Sequence, residues 1–259
     1  MIEAILNYDF MRYSFISGLI VGLIAPLLGT FIVVRRLSLI ADALSHVALG
    51  GIAFGVYLTS IFNIVINPVI SGVVFSVIGA LGIEKLRGVY KHYSEIAIPI
   101  IMSLGIALSV LFLSLASGFN QDLFGYLFGS ISAVSLGDLI MISIIGVIVI
   151  LFVFFLYKEM FFISFDEEYA GVMKLSKYIH IIFIILVALV ISASMRIVGI
   201  LLVSAMMTLP VASAMRITSS FKQLMIVSII FGEISVVAGL FLGFHLNISP
   251  GGTIVLVSI

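Results

Sequence analysis

Long apolar runs, separated by short polar connections, recur along almost the whole chain, and they decide what it can fold into. They lie near residues 14–34, 39–58, 64–83, 96–116, 138–157, 178–195, 197–215, 222–243 and 250–259. A bilayer core about 30 Å thick is crossed by roughly 20 apolar residues in a helix, so the first eight runs are long enough to span. The runs are continuous rather than alternating, which favours helices over the strands of a barrel. With 63% hydrophobic and 9% charged residues, the chain has too little polar surface for a water-soluble domain, where about a quarter of residues are charged. The expected architecture is an all-α polytopic membrane protein with eight or nine transmembrane helices in one domain, 1–259. The ninth run is too short to cross, so the chain is expected to stop inside that helix. Residues 117–137, polar and glycine-rich, fit a loop, a re-entrant piece or a short helix.

Basic residues set the orientation. Arg35 and Arg36; Lys85, Arg87 and Lys91; Lys158, Lys174 and Lys177; and Arg216 and Lys222 all fall in alternate connections. Ten of the 12 basic residues therefore share one side, and only Arg12 and Arg196 fall on the other. Short cytosolic loops carry the excess of Lys and Arg, so the N terminus is expected outside. Glu3, Asp9 and Arg12 precede the first run, which lacks the basic leader and cleavage site of a signal peptide and is expected to be retained. Acidic and basic residues balance at 12 each, giving no sign of a nucleic-acid surface. The absence of cysteine removes disulfides, thiolate metal sites and thiol nucleophiles.

An ionisable side chain costs at least a few kcal/mol at the bilayer centre, so each intramembrane one is a candidate for function. Asp42 and His46, in Ser38-Leu-Ile-Ala-Asp-Ala-Leu-Ser-His46, are four residues apart and share one helix face. At about 1.5 Å per residue, His46 lies about 15 Å beyond Arg36, near the midplane if Arg36 marks the boundary. A carboxylate and an imidazole on one face suit a divalent transition metal. The same pair is also compatible with plain interhelical hydrogen bonding. Glu233, inside the eighth run, reads as a packing residue or part of a metal pathway. His245, near Asn247 and Pro250-Gly-Gly252, reads as an interfacial histidine or part of a metal entry path. The GxxxG pairs Gly18/Gly22, Gly51/Gly55 and Gly239/Gly243 indicate close helix packing without singling out a dimer face. The 11 methionines are scattered apart from Met206-Met207 and fit packing better than copper binding.

The longest polar stretch on the basic side, Ser164-Phe-Asp-Glu-Glu-Tyr-Ala-Gly-Val-Met-Lys-Leu-Ser-Lys177, has acids first and lysines last, as the helix dipole favours. Ser164 or Asp166 is the expected cap of a short amphipathic helix there, which either lies on the membrane or docks into a partner. No G-x-x-x-x-G-K-[ST] occurs in the chain, so any ATP-driven process needs another subunit. The motifs H-E-x-x-H and G-x-S-x-G are absent too, and the chain is read as a transport component rather than an enzyme.

From about Phe10 onward the chain resembles the membrane permease subunit of bacterial zinc/manganese ABC importers. The blocks that carry the resemblance are Phe31-Ile-Val-Val-Arg-Arg-Leu-Ser-Leu-Ile-Ala-Asp-Ala-Leu-Ser-His46 with Gly50-Gly51, and Leu127-Phe-Gly129. They continue with Ser164-Phe-Asp-Glu-Glu-Tyr-Ala170, Val198-Gly-Ile-Leu-Leu-Val-Ser-Ala205 with Leu209-Pro210, and Ser249-Pro-Gly-Gly-Thr-Ile-Val-Leu256. The resemblance implies the type II ABC importer fold, a homodimer, and two copies of an ATPase subunit. It also implies a solute-binding protein that delivers the metal, and residence in the bacterial plasma membrane. Zinc or manganese, with iron as a third candidate, would be cargo, with no permanently bound cofactor. Asp42 and His46 would line the metal pathway, and two copies across a two-fold axis would supply four N/O ligands. The cytosolic coupling helix would fall at about 166–176, with Phe165, Asp166, Glu167, Tyr169 and Gly171 as contacts to the ATPase. Family members continue beyond the position of Ile259. An ion-coupled secondary transporter using Asp42, His46 and Glu233 is the competing reading.

Overall fold

The computed structural model describes residues 2–62, 67–90, 93–116, 121–165, 174–246 and 248–259. The chain starts with α1 (Ile2–Asn7) and α2 (Asp9–Val34), followed by α3 (Leu39–Phe62), α4 (Pro68–Val89) and α5 (Ala97–Leu115). A short α6 (Gln121–Phe128) and a 3-10 turn (Ile131–Ala133) precede α7 (Leu136–Phe155) and α8 (Tyr157–Phe165). The remainder comprises α9 (Lys174–Val198), α10 (Ile200–Met215), α11 (Phe221–Leu246) and α12 (Pro250–Ser258). Among the described residues, seven helices are long and apolar enough to cross a bilayer. At 16 residues, α10 is about 24 Å long, which is shorter than the bilayer core. Nearly every expected span appears with its ends moved by a few residues. The open stretch 117–137 contains α6 and the 3-10 turn, and the run ending at 157 is divided at Leu156 into α7 and α8.

Three long helices form the centre. Most of α2, α3 and α9 is buried, whereas α4, α5, α7 and α11 expose most of their apolar surface. That surface is what a membrane covers, because lipid is as apolar as leucine and exacts no penalty for it. Close approach depends on glycine. A Cβ at Gly51 would lie 2.7 Å from Phe75 Cβ and 2.9 Å from Gly72 Cα on α4. At Gly18 and Gly22 it would meet Val236 on α11, and at Gly239 it would meet Ile254 on α12. All three GxxxG pairs therefore serve seams within the chain.

Chain direction follows from paired contacts. Glu84 bonds His180, and the Ser76 hydroxyl donates to the Ala188 carbonyl at 3.4 Å. Gly72 faces Met195, so α4 and α9 run antiparallel. The ends of α2 and α10 meet the start of α11, where Val33 and Val34 pack with Val211, Ala214 and Leu224. All these contacts place Arg35, Arg36, Arg87, Lys177, Arg216 and Lys222 at one end of the bundle. At the other end, Arg12 pairs with Asp9, and Arg196 Nη1 lies 2.9 Å from Asp138 Oδ2. The two exceptions to the basic bias are thus each neutralised by a neighbouring acid.

Two local devices shape the bundle. The end of α2 closes with Arg36 N–H donating to Val33 O at 3.0 Å and Leu37 N–H donating to Ile32 O at 2.9 Å. This is a Schellman cap, with Arg36 in the left-handed region (φ 57°) where glycine is usual. The second device lies opposite, where α9 passes into α10 through Gly199 alone (φ 91°, ψ 144°). A Cβ there would lie 2.5 Å from Phe128 C and 2.6 Å from Gly129 N. Gly129 (φ 77°) faces the Ile197 carbonyl, and Gly251 faces the Val198 carbonyl. Three separated blocks of sequence, Leu127-Phe-Gly129, Val198-Gly199 and Ser249-Pro-Gly251, therefore converge at one backbone crossing.

Candidate functional site

Asp42 and His46 lie on α3, a helix enclosed by α4, α5, α9 and α10. From Ile40 to Ala53 this helix is buried except at Asp42, His46 and Leu49, and Leu39 is exposed at its start. These four residues are spaced 39, 42, 46 and 49, which forms a single stripe along the helix. Among the described residues no hydrogen bond or ion pair reaches the side chain of Asp42 or His46, so a plain interhelical hydrogen bond from either side chain has no partner there. Nor do the described residues contain any group of three or more His, Asp or Glu side chains able to hold a metal ion. One chain thus presents two adjacent N/O donors on this stripe, fewer than the four of a tetrahedral metal site.

The helix that carries the pair is held from behind by α5. A Cβ at Gly105 would lie 2.9 Å from His46 C and 2.7 Å from Val47 N, so α5 rests directly on the backbone of the histidine. Ser109 Oγ donates to Gly105 O at 2.7 Å and lies 3.4 Å from His46 O. Gly105 is midway along α5, which puts the His46 level near the middle of a spanning helix. Ser45 bonds back to the Ala41 carbonyl at 2.8 Å and leaves the open stripe clear. Gly105 and Ser109 were not singled out from the sequence. Small residues inside an apolar run look like ordinary packing until the helix they touch is known.

The other candidates are elsewhere. Glu233 is half-buried on α11 beside α2, where a Cβ at Gly22 would lie 3.4 Å from its carboxylate. Gly232 next to it packs on Gly22 and Pro26, at the point where proline removes an intrahelical bond. His245 is exposed, its ring tilted against Phe241 with centroids 4.3 Å apart and edge-on to Phe244 at 5.4 Å. The structure brings neither residue together with Asp42 and His46.

Of the coupling residues, Asp166, Glu167, Tyr169 and Gly171 lie outside the described residues. Phe165 ends α8, exposed, with its ring 4.7 Å from Phe161 and 5.7 Å from Phe221. Ser164 is inside α8 and donates to the Met160 carbonyl at 2.7 Å, so it does not cap a following helix. Lys174 to Ser176 belong to the first turn of α9. Of the expected coupling segment 166–176, only these last three residues are described, and they are continuous with α9.

A polar cluster at the basic end had no clear signal in the sequence. His180 Nδ1 is 2.8 Å from Arg35 Nη1, and its Nε2 is 2.9 Å from Glu84 Oε1. Guanidinium can only donate, so Nδ1 accepts from Arg35, while Nε2 lies 2.9 Å from both Glu84 Oε1 and Arg87 Nη1. Arg87 Nη1 then donates to Glu84 at 3.1 Å.

A sequence model of the ABC 3 transport family matches residues 7–259. The manganese transport system membrane protein MntC of Listeria monocytogenes is 32% identical over 258 residues, covering 99% of this chain and 90% of its own length. PsaBC from Streptococcus pneumoniae, solved in complex with a Fab, superposes with a TM-score of 0.83 at 32% identity, covering 99% of this chain and 91% of that one. A metal-chelate type ABC transporter in an inward-facing conformation superposes with a TM-score of 0.69 at 17% identity, covering 99% and 85% of the two chains, and supports the fold alone. Matched along nearly all its length in this way, the chain belongs to the ABC 3 transport family, as a membrane permease of the metal ABC transporter type.

Proposed function

We propose that the chain is the permease of an ATP-driven importer of a divalent transition metal, with Asp42 and His46 as the ligands of the transport site. The observation that carries this reading is the stripe on α3, which leaves two N/O donors without a side-chain partner among the described residues, His46 level with the middle of α5. A second copy packed on that stripe by two-fold symmetry supplies the other two ligands. Oxygen and nitrogen donors without thiolates suit manganese, zinc and iron, and they release an ion more readily than a thiolate site. The manganese relatives favour manganese among these.

The basic end faces the cytosol and the N terminus faces outward, supported by the ten-of-twelve bias and by the paired Arg12 and Arg196. An ATPase subunit, two copies per dimer, docks at that end through the segment that begins at Phe165 and continues through Asp166, Glu167, Tyr169 and Gly171. A solute-binding protein delivers metal at the opposite end, near the crossing of Gly129, Gly199 and Gly251. Glu233 and His245 belong to the helix packing and the outer surface.

Uptake into vesicles, with and without a co-expressed ATPase, tests this. Wild type is expected to accumulate Mn2+ only with ATPase and ATP. Asp42→Asn, which keeps shape and loses charge, and His46→Ala are expected to abolish accumulation. Accumulation driven by an ion gradient without the ATPase would establish the secondary transporter instead.

A further inference from the structure

Between the basic ends of α4 and α9 is a recess of about 760 Å³ that the proposed transport function does not use. Its floor is the bonded set Arg87, Glu84 and His180, and its rim carries Lys85, Lys177 and Ser94. Glu84 is the only carboxylate in the lining, and it already accepts from Arg87 and from His180. Lys85 and Lys177 are exposed and have no ion pair among the described residues. With His180 neutral, the lining carries three cations against one anion, and Arg35 adds a fourth from behind the imidazole. Lys85 and Lys177 sit at the ends of two spanning helices, where the dielectric falls and a charge is costly without a counterion.

The wall above the recess is apolar, exposed on α4 and half-buried at Ile181. Leu81 and Ile181 are part of the lining, and Ile78 and Val74 continue the α4 stripe toward the bilayer centre at one-turn intervals. A cationic recess opening onto an exposed apolar stripe matches a molecule with an anionic head and acyl tails. Basic pockets between helices on the cytoplasmic side take such headgroups.

We propose that this recess binds the phosphate of an anionic phospholipid, with Lys85 and Lys177 contacting the phosphate oxygens and an acyl chain lying along Leu81, Ile78 and Val74. Assignment to the inner leaflet rests on the orientation proposed above, but binding in micelles does not, so the two can fail separately.

The test is native mass spectrometry of the detergent-purified full chain titrated with phosphatidylglycerol, with phosphatidylcholine and with inorganic phosphate. Phosphatidylglycerol is expected to bind more tightly than phosphatidylcholine. The double variant Lys85→Ala/Lys177→Ala should weaken it about fivefold per lysine, and so about twenty-five-fold together. Arg216→Ala/Lys222→Ala, which removes two exposed charges at the same end, should leave it within about twofold of wild type. Equal loss in both double variants would reduce the effect to general charge attraction and overturn the site, as would unchanged phosphatidylglycerol binding in the Lys85/Lys177 variant. Displacement of phosphatidylglycerol by millimolar inorganic phosphate would make the occupant a soluble anion and overturn the lipid assignment.

Discussion

Replacing Gly105 by alanine places a methyl group against the backbone of the helix that carries Asp42 and His46. The added Cβ would lie 2.7 Å from Val47 N, against about 3.4 Å where ordinary contact begins, so α3 and α5 must separate by about 0.7 Å. The obstacle is main chain, and no rotamer change relieves it. Overpacking of this kind typically costs about 1–3 kcal/mol of stability. The cost to the site is more specific. Metal–ligand distances tolerate about 0.2 Å, and in the proposed dimer the displacement acts once in each copy, on opposite sides of the ion. Disturbing the support of metal ligands typically weakens affinity about 10–100-fold, or about 1.4–2.7 kcal/mol. Equilibrium dialysis of purified protein with Mn2+, beside a thermal unfolding midpoint, reads both effects. Gly88→Ala is the control, because a Cβ there meets nothing within 4 Å, and the substitution should leave affinity unchanged while adding about 0.5–1 kcal/mol of stability. If Gly105→Ala binds Mn2+ with wild-type affinity, the contact does not position the site and the reasoning fails.

Three further outcomes follow from the same geometry. Gly199→Ala should destabilise the fold by about 3 kcal/mol or more, because φ 91° disfavours any side chain and the Cβ would overlap the Phe128–Gly129 backbone; expression yield and unfolding midpoint check it. Arg196→Met should cost about 2 kcal/mol by leaving the buried Asp138 carboxylate without its cation, and Arg196→Met/Asp138→Asn should recover part of that in a double-mutant cycle. Because the chain has no cysteine, Ser220→Cys and Ser132→Cys can each be labelled without background. The first should react with a membrane-impermeant thiol reagent only from the cytosolic side and the second only from outside, and the reverse pattern would invert the proposed orientation.

Much of this architecture is legible in the sequence because a bilayer enforces length and apolarity together. The run read at 39–58 becomes Leu39–Phe62, and the near-contiguous runs 178–195 and 197–215 become α9 and α10, joined at Gly199. The i, i+4 spacing of Asp42 and His46 correctly placed both on one face. It could not show that this face is open, since openness depends on which neighbours cover the rest of α3. Gly105, Ser109 and the Glu84–His180 pair escaped for a related reason. Each acquires its role from a residue 58 or more positions away, and local periodicity carries no record of such contacts. Three blocks noticed only as resemblance also gain a physical meaning, because Gly129, Gly199 and Gly251 meet at one crossing where a side chain does not fit.

The central claim, that two copies of this chain share one metal through Asp42 and His46, is tested most directly by counting ions. Purified permease, saturated with Mn2+ and freed of excess by gel filtration, is analysed for metal by mass spectrometry and for chain mass by light scattering. The account predicts one ion per two chains in wild type, and loss of that ion in both Asp42→Ala and His46→Ala with the dimer mass unchanged. Full occupancy in either variant, or one ion per chain in wild type, would contradict it.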